Sequence, residues 1–62
     1  METLIKIKDL VEKISVDTKK VFVKGNHSAS IRARKNAQEV KSLIATFRKE
    51  ILDEIKRHEG RD

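Results

Sequence analysis

Sixty-two residues with 40% charged side chains and a formal net charge of +5 allow one small domain whose core is thin. The absence of Cys excludes disulfide staples and thiolate metal sites. The N-terminus interleaves apolar with charged residues, so no secretory signal is expected, and no apolar run approaches the roughly 18 residues of a membrane span. The expectation is one domain over residues 1–62, cytoplasmic, with no membrane association.

From Leu4 an apolar series runs Leu4, Ile7, Val11, Ile14, Thr18, Val21, in steps of three and four. That spacing predicts an amphipathic helix, widened by Leu10 and Phe22. Val21-Phe22-Val23 would also suit a strand, but the helical period runs through it. Gly25-Asn26 is the stop signal: Gly favours the left-handed position after a helix, and Asn is the next most tolerant. Ser28 or Ser30 is expected to cap the next helix, leaving a connection of three to five residues.

The second series is Ala33, Ala37, Val40, Ile44, Phe47, Ile51, extended by Ile55. Its small members lie near the turn, where they let two helices approach closely. The predicted fold is all-α: an antiparallel two-helix hairpin folded about residues 26–27. Ile14 would face Val40, Leu10 would face Leu43 and Ile44, and residues beyond about 53 would outrun the first helix. Two helices cannot enclose a core, and Ile5, Leu10, Leu43 and Leu52 would leave apolar surface open. Self-association into a bundle, most simply a four-helix dimer, is expected.

Charge is segregated along the chain. Residues 1–17 carry three basic and four acidic side chains, and residues 39–62 six of each. Residues 18–38 carry Lys19, Lys20, Lys24, Arg32, Arg34 and Lys35, plus His27, and no acid. Such a concentration points to a polyanion. Arg34 is expected to face Lys19 and Lys20, an arrangement that an intervening anion would stabilise. The start of the second helix adds N–H groups and a positive dipole end. Lower down, Arg34, Lys41 and Arg48 recur every seven residues. There the expectation is structural: Lys41 pairs with Glu12, and Arg48 with Glu2 or Asp9.

Phosphate contact of this kind is sequence-independent and falls steeply with salt; about eight phosphates give a log–log slope near −7. Base reading needs a recognition helix that nothing marks. Both Phe are expected on apolar faces, which disfavours stacking on bases. His27 and His58 lack metal-ligating companions, so no metal site or cofactor is expected. Ser28 and Ser30 lack an oriented base and a dry pocket. Glu39, Glu50, Asp53 and Glu54 are read as solvated, not facing across a cleft. No catalytic residue is assigned; an enzyme is not expected.

Lys24-Gly25-Asn26, then Ala29, Arg32, Arg34 and later Arg48-Lys49-Glu50, resemble the pattern of the chlamydial-type, linker-histone-like nucleoid proteins and their short Bacteroidetes-type relatives. The resemblance covers about residues 19–55. It implies a histone-like, nucleoid-located bacterial chromatin protein that binds and compacts double-stranded DNA with little sequence preference. Carried across, Lys24, Gly25, Asn26, Arg32 and Arg34 form a DNA-facing tip, and Arg48, Lys49 and Glu50 match the later motif. With the charge reading, the DNA-binding residues are Lys19, Lys20, Lys24, Gly25, Asn26, His27, Ser28, Arg32, Arg34 and Lys35. Longer members carry a Lys/Ala-rich tail; here the balanced end at Asp62 leaves the hairpin to act, by bridging from tips about 30 Å apart. RNA binding, and a coiled-coil module with an acidic protein partner, are the alternatives.

Overall fold

The computed structural model describes Met1–Glu59; residues 60–62, the end of the expected domain and of its charge-balanced tail, lie outside the described residues. It consists of two helices, α1 (Glu2–Lys24) and α2 (His27–Glu59), with no strand among the described residues. Val21-Phe22-Val23 is helical, as the continuing period predicts. Propensity differences of a few tenths of a kcal/mol per residue do not outweigh packing along a whole face.

The break between the helices is two residues long, not three to five. Gly25 adopts the left-handed conformation (φ 63°, ψ 31°), and its N–H donates to the Val21 carbonyl at 2.8 Å. A side chain here would meet no neighbour, but left-handed backbone costs an L-residue about 1–2 kcal/mol. Asn26 caps α2 in place of the expected Ser28 or Ser30. Its Oδ1 accepts from the Ala29 N–H at 3.0 Å, and its carbonyl accepts from the Ser30 N–H at 3.2 Å. Ser28 is exposed in the first turn and Ser30 is half-buried. Gly-Asn is therefore a stop and a start in succession: one helix ends on Gly25 and the next begins on Asn26.

The helices pack against each other in a rod of 55 × 14 × 14 Å. Met1 lies beside Glu50, Ile51 and Glu54 at one end, and Asp17 meets Arg32 toward the other. α2 is ten residues longer than α1 and extends past it by about 15 Å. Ile55, on that extension, is half-exposed.

The contact between the helices follows a different stripe from the expected one. On α1 the covered positions are Thr3, Ile7, Leu10, Ile14, Asp17 and Val21, with Thr18 beside them. On α2 they are Ala29, Ala33, Asn36, Val40, Leu43, Phe47 and Glu50. One row of each series is shared with the expectation, whereas Leu4, Val11, Ala37, Ile44 and Ile51 remain exposed. Each helix carries a face wide enough for two neighbours, and the chain supplies only one. Asp17, Asn36 and Glu50 make the occupied seam polar. Glu50 is thus on the contact face and not the solvated side, with its Oε1 buried and unbonded.

Very little is fully buried: Ala29 at 0% exposure, Leu10 at 9% and Asp17 at 7%. Ala29, a small residue near the turn, is the most completely covered of the described residues.

Candidate nucleic-acid interface

The bend gathers the cations that the sequence singles out. α1 brings Lys19, Lys20 and Lys24 to its last two turns, and α2 brings His27, Arg32, Arg34 and Lys35 to its first three. All are exposed, as are Gly25, Asn26 and Ser28. Gly25 and Asn26 make the turn itself, so their place in the motif has a structural cause independent of any ligand.

Arg32 differs from the rest. Its Nη2 donates to Asp17 Oδ1 at 3.1 Å, and its Nε lies 3.4 Å from both carboxylate oxygens. The Asp17 side chain is nearly buried between the helices while the guanidinium is half-exposed. Arg32 therefore faces an acid one residue outside the acid-free window, which corrects the expectation of an unneutralised cluster. The other five, Lys19, Lys20, Lys24, Arg34 and Lys35, have no ion-pair partner among the described residues.

Asp17→Asn separates the two roles of this pair. It is expected to lower stability by about 1.5–3 kcal/mol, the range for a hydrogen bond to a charged group. It should also raise affinity for a polyanion, because Arg32 is released and one negative charge is removed. Thermal unfolding followed by circular dichroism, with duplex titration in parallel, reads both signs.

Two further expectations need correction. Phe22 is 84% exposed and Val23 79%, so Phe22 does not lie on a covered apolar face. Lys41–Glu12 and Arg48–Glu2 or Arg48–Asp9 do not form. Glu2 pairs with Lys6 and Asp9 with Lys13, each four residues along the same helix. Sequence reasoning missed this because it counted register across the pair before satisfying acids within their own helix, where Glu or Asp four residues before Lys is the favoured order.

At the far end of α2, Glu54 accepts from Arg57 and lies 3.2 Å from His58 Nε2. Arg57 first, then His58, holds the Glu54 carboxyl below its ordinary value.

A slender two-helix rod with an open cationic bend defines a class: small basic helical proteins built to meet a polyanion. Within it, the chain belongs to the family of the histone H1-like protein Hc1, the chlamydial histone-like family, which matches it over residues 1–57. That is a histone-like, DNA-binding nucleoid family and not one of enzymes. The resemblance carried by the Lys-Gly-Asn and Arg-x-Arg motifs is borne out. No curated protein and no solved structure matches the chain significantly. No helix among the described residues is long and apolar enough to cross a membrane.

Proposed function

We propose that the chain is an antiparallel hairpin which pairs with a second copy and binds DNA without sequence preference, through phosphates at the bend. The observation that carries this reading is the set of five cations around Gly25-Asn26 that have no ion-pair partner among the described residues. Phosphates bind such groups with release of counterions, and the contacts carry no sequence information. The proposed contacts are Lys19, Lys20, Lys24, His27, Ser28, Arg34 and Lys35, with Arg32 held by Asp17 beside them and Gly25-Asn26 fixing the turn. The proposed setting is the bacterial nucleoid.

Pairing is supported by surface. The chain exposes 5328 Å², whereas a compact monomer of its 7.2 kDa exposes about 4,100 Å². The excess, about 1,200 Å², exceeds the roughly 800 Å² that one partner contributes to a standard interface. In an antiparallel pair, the rows that follow the seam by one residue fall on the same side of both helices. Those rows are Leu4, Val11 and Thr18 on α1, and Ser30, Ala37, Ile44 and Ile51 on α2. The opposite flank holds Lys6, Lys13 and Lys20 with Arg32, Glu39, Thr46 and Asp53. One side is apolar and the other charged, as a half-bundle requires. A dimer with its bends at opposite ends would hold two cationic sites about 34 Å apart, the length of α1, and bridge two duplexes.

Duplex binding measured by gel retardation over a salt series, with solution mass alongside, tests the reading. From the bend contacts alone, a log–log slope near −7 is expected for about eight phosphates engaged by a dimer. A slope near zero removes phosphate binding. An RNA duplex competing better than DNA of equal length shifts the reading to RNA.

A further inference from the structure

Outside the bend, the cations of α2 are sorted by face. Arg34, Lys41 and Arg48 form one row along the helix, and Lys35, Lys49 and Lys56 the row beside it. All six are exposed, and none has an ion-pair partner among the described residues. The pairings expected to occupy Lys41 and Arg48 are absent: Glu2 and Asp9, the acids expected at Arg48, are held by Lys6 and Lys13, and Glu12 is exposed and forms no ion pair with Lys41.

Local sequence keeps the first row free. The residues three and four positions from Arg34, Lys41 and Arg48, on either side, are apolar or uncharged. In the second row, Lys35 and Lys49 each have an acid four residues later, Glu39 and Asp53. That is the weaker order for a helical pair, and no ion pair forms. The remaining acids of α2 are placed elsewhere. Glu50 lies on the seam, Glu54 is taken by Arg57 and His58, and Glu59 is at the end.

We infer that these two rows are a second phosphate-binding surface, continuous with the bend through Arg34 and Lys35, so that a duplex lies along α2. The inference rests on the DNA reading above and extends it from an end-on contact to a side-on one. From Arg34 to Lys56 the ridge runs about 33 Å, with a cation of the first row every 10.5 Å or so. One turn of B-DNA is about 34–36 Å long. Along that length the duplex presents a phosphate charge about every 1.7 Å, so regular spacing meets it without base register. A chain bound this way covers about ten base pairs; a chain touching only with its bend covers fewer.

The test compares two variants of the full chain that lose the same charge. Lys41→Gln/Arg48→Gln removes two ridge cations, and Lys6→Gln/Lys13→Gln removes two that are already paired on α1. Each is titrated against a mixed-sequence 30-base-pair duplex over a salt series. The ridge variant should reduce the magnitude of the log–log slope by about 1.8 per bound chain, and weaken binding near 0.1 M salt about 60-fold. The control should keep the parent slope. Equal losses in both variants would mean that net charge alone matters, and would overturn the ridge. An unchanged ridge variant would overturn it too, while leaving the bend reading intact if bend substitutions still abolish binding. Parent protein without salt-dependent binding would sink both. Helix content and mass are read throughout. Should Arg48→Gln disturb either, Lys41→Gln/Lys49→Gln replaces it, since Lys49 does not line the groove beside Phe47.

Discussion

Replacing Lys19, Lys20 and Lys24 together by Gln is expected to weaken duplex binding roughly 500-fold at 0.1 M salt, and to flatten the log–log slope by about 2.7 per bound chain. Each of the three is exposed and unpaired among the described residues, so that its charge is available to a ligand. Gln keeps helix propensity close to that of Lys, so α1 should persist. The structural cost is the loss of favourable cations near the end of α1, about 0.3–1 kcal/mol each at most. Gel retardation across a salt series measures the effect, with circular dichroism to show that the helices remain. Parent-like affinity in a folded variant would show that the bend does not meet phosphate. Arg32→Gln alone should weaken binding less than Arg34→Gln, because Asp17 already offsets the Arg32 charge.

Ile44→Asp/Ile51→Asp should convert the proposed dimer to monomer and strip much of its helix content. Both side chains lie on the row that the chain itself leaves open, on the apolar side of the proposed hairpin. Fully burying an Ile contributes about 1.5–3 kcal/mol, and 44% of each is still exposed, so covering the remainder of both contributes about 1.3–2.6 kcal/mol per chain before any charge is buried. A helix pair whose buried apolar residues are Leu10 and Ala29 has no reserve of that size. Ile5→Gln is the matched control: Ile5 is more exposed than either but lies on the outer side of α1, away from the seam and its apolar flank. Changes at such positions stay within about 0.5 kcal/mol. Sedimentation equilibrium and circular dichroism over a concentration series read the result. A parent protein that is monomeric and fully helical at micromolar concentration would rule out pairing.

Much of this was legible in the residues. The apolar periods gave both helices and carried the first through Val21-Phe22-Val23, where β-branching pulls toward a strand. Gly25 was legible because few residues tolerate its conformation. The cluster at the bend was legible as an interval without acids. The seam was not. Each helix presents two candidate rows that share a third, and periodicity cannot say which row meets the sister helix and which is left over. Asp17 illustrates the difficulty: it stands just outside the acid-free interval, yet it is buried on the seam and Arg32 reaches it from the other helix.

The fate of Arg48 turned on a comparable ambiguity. Spacing across the pair offered it Glu2 and Asp9, and spacing within α1 offered the same acids to Lys6 and Lys13. Partners four residues apart on one helix need no tertiary contact to meet, so the local pairs formed.

By itself the sequence determined that there are two helices, that the first stops at Gly25 and where positive charge accumulates, because capping, period and composition act within a few residues. Only the tertiary structure decided which apolar row is covered, which acid reaches which base, and hence which cations remain free. Those outcomes depend on the rotation of one helix against the other, a single angle that moves every side chain at once and that no local pattern fixes.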